Sequence, residues 1–196
     1  MTATSLAAEI AVGAARLIVE EGMAYGAAKK RAAREIGVSD RLAALPSNDD
    51  VEEEVRAWLA LFHADSQPRE LAALRDIAAE WMARVAAFRP YLTGAVWRGT
   101  ATRLSDIHIE LYCDDSKAAE LALIDMRVDY SVSSASGPNG RAVDVLEVFA
   151  SSLPLGIMVR VALSVLDYDD LRGALRGDSR GRSERGDLTG LKALAR

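Results

Sequence analysis

Three features of the chain predict an α+β fold. Apolar residues recur at helical spacing through residue 88, the period switches to strand-like alternation after Pro90, and turn-forming residues separate the later apolar segments. The expected arrangement is a helical N-terminal half, residues 1–89, packed on a mixed sheet of about four or five strands within residues 90–175. Residues 176–196 are expected to be a linker and a short C-terminal helix.

In the first half, Leu6, Ile10, Ala14, Leu17 and Ile18 mark one helix that Gly22 ends. A shorter basic helix follows from about Ala27 to Ile36, and Gly37 stops it. Leu42 to Asn48, with Pro46, reads as a loop. Ser47 to Asp50 then caps a helix carrying Val51, Val55, Trp58, Leu59 and Phe62 on one face. Pro68 opens another, striped by Leu71, Leu74, Ile77, Trp81 and Val85.

In the second half, Ile107 to Tyr112 alternates as a strand with two unlike faces. Asp114 to Met126 returns to helix, with Asp114 or Asp115 as its cap. Val128–Ser134 and Val143–Phe149 read as strands joined by the turn Gly137-Pro138-Asn139-Gly140. Leu155 to Leu166 is a further strand and Tyr168 to Leu175 a helix. The Gly, Ser and Arg run from Arg176 to Asp187 reads as a linker.

Composition narrows the function classes. The 196 residues carry a net charge of −5 without an acidic or basic tail, which argues against a protein that grips nucleic acid by its phosphates. Cys113 is the only cysteine, so an intrachain disulfide and a Cys-based zinc site are both excluded. No apolar run reaches the roughly 20 residues of a membrane span, and Met1 to Glu9 lacks the pattern of a signal peptide. The expected location is cytoplasmic, with no membrane partner. Cys113 at a strand end reads as core, and His63 as an ordinary residue at a helix end.

The informative stretch runs from Leu92 to Leu111. It contains a strand, a turn at Thr93-Gly94-Ala95, Arg98-Gly99, a polar loop, and a strand opening with Ser105-Asp106-Ile107-His108-Ile109-Glu110. Asp144 follows on a later strand, within Val143-Asp144-Val145-Leu146. This stretch, about residues 90 to 150, resembles the signature of the DNA polymerase beta-like nucleotidyltransferases, including the small bacterial ones. The resemblance implies a nucleotidyltransferase-like palm sheet, Mg²⁺, and a nucleoside triphosphate or other anionic ligand. It further implies Asp106 and Asp144 as catalytic residues and Asp106, His108, Glu110 and Asp144 as metal-facing positions. Gly94, Ala95, Arg98 and Gly99 would be the triphosphate-binding turn.

The chemistry accounts for those residue types. Nucleotidyl transfer uses two metal ions that stabilise the attacking and leaving oxygens, and magnesium takes hard oxygen ligands. Alternate positions of a strand share a face, and a neighbouring strand supplies the third carboxylate. A glycine lets backbone N–H groups approach a phosphate closely. Two positions depart from the family pattern: Ala95 stands in place of a serine, and His108 in place of the second aspartate. Imidazole is a poor magnesium ligand, so the expectation is a weakened or inactive enzyme.

A second class is suggested by Ala14 to Ser39, which looks like the opening of a tetracycline-repressor-type helix-turn-helix. A DNA-reading helix would have to follow Gly37-Val38-Ser39, where Asp40 to Asn48 offers only Arg41 as a cation. No Gly-rich loop ending in Lys-Ser or Lys-Thr occurs, which excludes P-loop phosphate binding.

Overall fold

The structure is a computed structural model; it describes residues 3–38, 45–175 and 183–194. The chain divides into two compact units, residues 1–69 and 70–196.

The first unit holds helices α1 (Ala3–Glu21), α2 (Tyr25–Glu35) and α3 (Asn48–Phe62). They close around a core of their own that includes Ile10, Leu17, Ala32, Val51 and Val55. The α1–α2 contact is close because it is made of small residues: a Cβ added at Gly13 would stand 3.1 Å from the Ala32 Cβ. The expected cap of α3 is present. Ser47 accepts from the Asp50 backbone N–H, and Asp50 accepts from the Ser47 N–H, each at 3.0 Å. Trp58 packs on this core, and Phe62 is 58% exposed, its ring tilted against that of Trp58 with centroids 4.6 Å apart.

The second unit begins within α4 (Gln67–Arg84). Its strands are β1 (Tyr91–Thr93), β2 (Ile107–Tyr112), β3 (Ser131–Ser136), β4 (Ala142–Ser152), β5 (Ile157–Leu166) and β6 (Arg185–Gly186). Its remaining helices are α5 (Gly94–Arg98), α6 (Ser116–Asp125), α7 (Leu171–Ala174) and α8 (Leu188–Leu194). The sheet order is β3-β4-β5-β2-β1-β6, so among the described residues it has six strands rather than four or five. Only β2 and β5 run parallel; every other pair is antiparallel. The sixth strand, Arg185–Gly186, lies inside the segment expected to be linker; residues 176–182 of that segment lie outside the described residues. Two residues are too few to carry a periodic signal, and β6 exists because the end of the chain returns to the edge of β1.

Alternation along the strands separates two faces. Ile107, Ile109 and Leu111 of β2, Val159, Val161, Leu163 and Val165 of β5, and Leu146 and Val148 of β4 are buried in one core. Leu74, Ile77, Trp81 and Met82 of α4 and Ala119 and Leu123 of α6 fill the same core. Thus nearly all of α4 belongs to the sheet unit, and the division falls within its first turn, between residues 69 and 70, rather than at residue 89. Asp115 caps α6 by accepting from the Lys117 N–H at 2.9 Å.

Candidate functional site

The second face of the sheet carries the polar residues. Strand pairing aligns Ser131, Glu147, Ala162, His108, Thr93 and Arg185 in one row across all six strands. Glu110 and Ser164 form part of the next row, and Asp106, just before β2, lies beside Arg160. Asp106, His108 and Glu110 are thus brought to one side of the sheet.

Asp144 is not with them. Strand β5 lies between β4 and β2, and Asp144 alternates with Leu146 and Val148 toward the helix-covered side. There its charge helps to raise the pKa of Lys117, on α6, whose main cause is the bond to Glu120. The assignment of Asp144 as a catalytic and metal-facing partner of Asp106 is corrected: a strand exposes every second residue, and 144 has the wrong parity.

The carboxylate that β4 does present is Glu147. Arg160 of β5 joins it to Asp106, donating at 2.6 Å to Glu147 and at 2.5 Å to Asp106. The Ser133 hydroxyl also donates to Glu147, at 2.6 Å. The Arg160 and Ser133 bonds hold the Glu147 carboxyl down at about 2, and the Glu147 bond raises the guanidinium. Both lone charges were visible in the sequence: Glu147 is the only charge between Val145 and Phe149, and Arg160 the only one between Ile157 and Leu166. A single charge in an apolar strand requires a partner. Which partner it takes depends on strand order.

A second bridge lies further along. Arg185 of β6 donates to Glu110 and, at 3.1 Å, to the Tyr112 hydroxyl, which itself donates to Glu110 at 2.7 Å. Burial first, and then Glu110, pushes the Tyr112 phenol well above its ordinary value. Beside this bridge is a cavity of about 630 Å³ bordered by Ser136, Val143, Ser164, Leu166 and Asp169.

At the turn, Gly94 has φ +72°, a backbone that favours glycine, and an added Cβ would lie 3.4 Å from the His108 ring. Ala95 packs partly against the core. Arg75 of α4 anchors α5, donating to the Val96 carbonyl at 3.2 Å and the Trp97 carbonyl at 3.4 Å. Gly99, at φ +82°, ends α5 just after Arg98. The His108 side chain is exposed on the polar face of the sheet; loss of solvent around its ring, with Arg160 and Arg98, lowers its pKa against the opposing pull of Asp106 and Glu110.

The residues present do not fit a two-magnesium cage. Asp106 and Glu147 share one guanidinium, Glu110 is held by another, and Asp144 faces away. A metal ion here would have to displace Arg160 from two carboxylates. Among the described residues, no three His, Cys, Asp or Glu side chains are grouped so as to hold a metal ion. Nor is any described helix long and apolar enough to cross a membrane.

No family model, curated protein or solved structure was found to match the chain.

Proposed function

We propose that this chain is a cytoplasmic, nucleotidyltransferase-like protein that has lost metal-dependent transfer and binds a nucleotide or another anionic ligand at the Gly94–Gly99 turn. The observation that carries the reading is the Arg160 bridge between Asp106 and Glu147. A fixed guanidinium supplies the positive charge that a pair of carboxylates would otherwise draw from a metal. It cannot polarise a phosphoryl oxygen as a Lewis acid or lower the pKa of a bound water. Support for an anionic ligand comes from the glycine-marked turn and from Arg98 at the end of α5.

The helix-turn-helix reading is disfavoured by the charge of α3. It opens with Asp49 and Asp50 and continues with Glu52, Glu53 and Glu54, a run that repels DNA phosphates. Residues 39–44, which include Arg41, lie outside the described residues.

Calorimetric titration with ATP, with Mg²⁺ and with chelator, tests the reading together with an assay for pyrophosphate release. The expected result is nucleotide binding that survives chelation, with no pyrophosphate released. Mg²⁺-dependent pyrophosphate release by the unmodified chain would overturn it.

A further inference from the structure

We infer that strand β3, the exposed edge of the sheet among the described residues, is a self-association surface that joins two copies of this chain into one continuous sheet. The inference is independent of the proposed ligand. An edge strand presents a row of unpaired N–H and C=O groups, and monomeric proteins blunt such edges with charged side chains, proline, bulges or very short strands. Strand β3 has none of these devices. It pairs with β4 without interruption from Ser131 to Ser136, its sequence is Ser-Val-Ser-Ser-Ala-Ser, and all six residues are exposed.

The two edges of the sheet differ, and the difference selects the partner. The opposite edge, β6, is two residues long. Head-to-tail pairing of β3 on β6 could form only a two-residue ladder, whereas β3 on β3 offers a ladder of five residues, Ser131 to Ala135, on each side. Pairing of like edges is isologous and closes as a two-fold dimer instead of growing into a filament. A two-fold axis perpendicular to the sheet makes the new pair antiparallel and keeps each face of one copy continuous with the same face of the other. Centred on Ser133, this sets Ser131 opposite Ala135 and Val132 opposite Ser134. Nothing charged meets, and no side chain larger than valine stands at the join.

The flanking surface is suited to the same partner. Val132 is 53% exposed on the helix-covered side of the edge. The Tyr130 hydroxyl donates to Glu120 at 2.8 Å, which ties α6 to the start of β3. Ile124, one turn beyond Glu120 on the same helix face, is likewise 53% exposed. Across the two-fold, Val132 and Ile124 of each copy are brought toward those of the other, so apolar burial adds to the backbone ladder.

The test is the mass of the full chain in solution over a wide concentration range, measured by light scattering on a sizing column and by sedimentation. The expected mass rises with concentration from 21.1 kDa to twice that value. The double variant Val132→Lys/Ser134→Lys sets like charges across the new ladder and is expected to stay at the monomer mass, with its circular dichroism unchanged. Hydrogen exchange gives a readout that needs no variant: in the wild-type chain, β3 amides are expected to gain protection as concentration rises. A wild-type mass that stays monomeric throughout, a variant that remains folded and still doubles in mass, or β3 exchange independent of concentration would each overturn the proposal.

Discussion

Glu147 lies 2.6 Å from the guanidinium of Arg160 on the neighbouring strand, while Asp144, three residues earlier on the same strand, projects from the other face of the sheet. The pairing links the stability of the sheet to pH. Glu147 has a folded pKa of about 2 against an ordinary value of 4.5. A depressed carboxyl contributes stability that is fully present above 4.5 and is lost as pH falls toward 2. Glu147→Gln is therefore expected to lower stability at pH 7 and to flatten the acid side of the stability curve between those values. Urea unfolding at a series of pH values checks this; parallel curves for the two proteins would refute it.

Removing the guanidinium changes what the site can hold. Arg160→Ala leaves Asp106 and Glu147 without their shared cation, and two uncompensated carboxylates attract a divalent ion. Mn²⁺ binding, read by water-proton relaxation, is expected to rise at least tenfold over wild type. His108→Asp by itself is expected to change it much less, because Arg160 still clamps Asp106. A larger gain from His108→Asp than from Arg160→Ala would place the obstacle at the histidine instead.

The C-terminal strand depends on one glycine. A Cβ at Gly186 would lie 2.0 Å from the Trp97 ring, whose indole N–H donates to the Ser183 carbonyl at 2.8 Å. Gly186→Ala must shift either the indole or β6, at a cost of about 1–3 kcal/mol. The expected result is a Tm lower by several degrees and a red shift of tryptophan emission. An unchanged Tm would mean that β6 yields without cost.

The place of α4 predicts how the chain can be cut. Leu74, Ile77, Trp81 and Met82 fill the core of the sheet. A fragment of residues 70–196 is expected to unfold in one cooperative thermal transition, whereas residues 90–196 lack that side of the core and are expected to be molten or insoluble. Calorimetry distinguishes the two, and cooperative unfolding of the shorter fragment would show that α4 is dispensable.

Periodicity in the sequence sufficed for several local elements, though the strand read at Val128–Ser134 lies at Ser131–Ser136 and the Gly94–Arg98 stretch read as a turn is a short helix. The limits of β2 are those its alternation predicts, the Ser47–Asp50 cap forms, and Gly137 to Gly140 turns between β3 and β4. These depend on neighbours within about one turn or a few strand residues, and side-chain spacing carries that information. The alternation also put His108 and Glu110 on one face, with Asp106 just ahead of them. The two-residue β6, the assignment of α4 to the sheet unit, and the exchange of Asp144 for Glu147 were decided only in three dimensions. Each depends on which strand lies beside which, and the β3-β4-β5-β2-β1-β6 order joins residues as far apart as Asp106 and Arg160. Strand periodicity sorts residues into two faces, but the partner across the ladder is set by long-range burial, which no local pattern encodes.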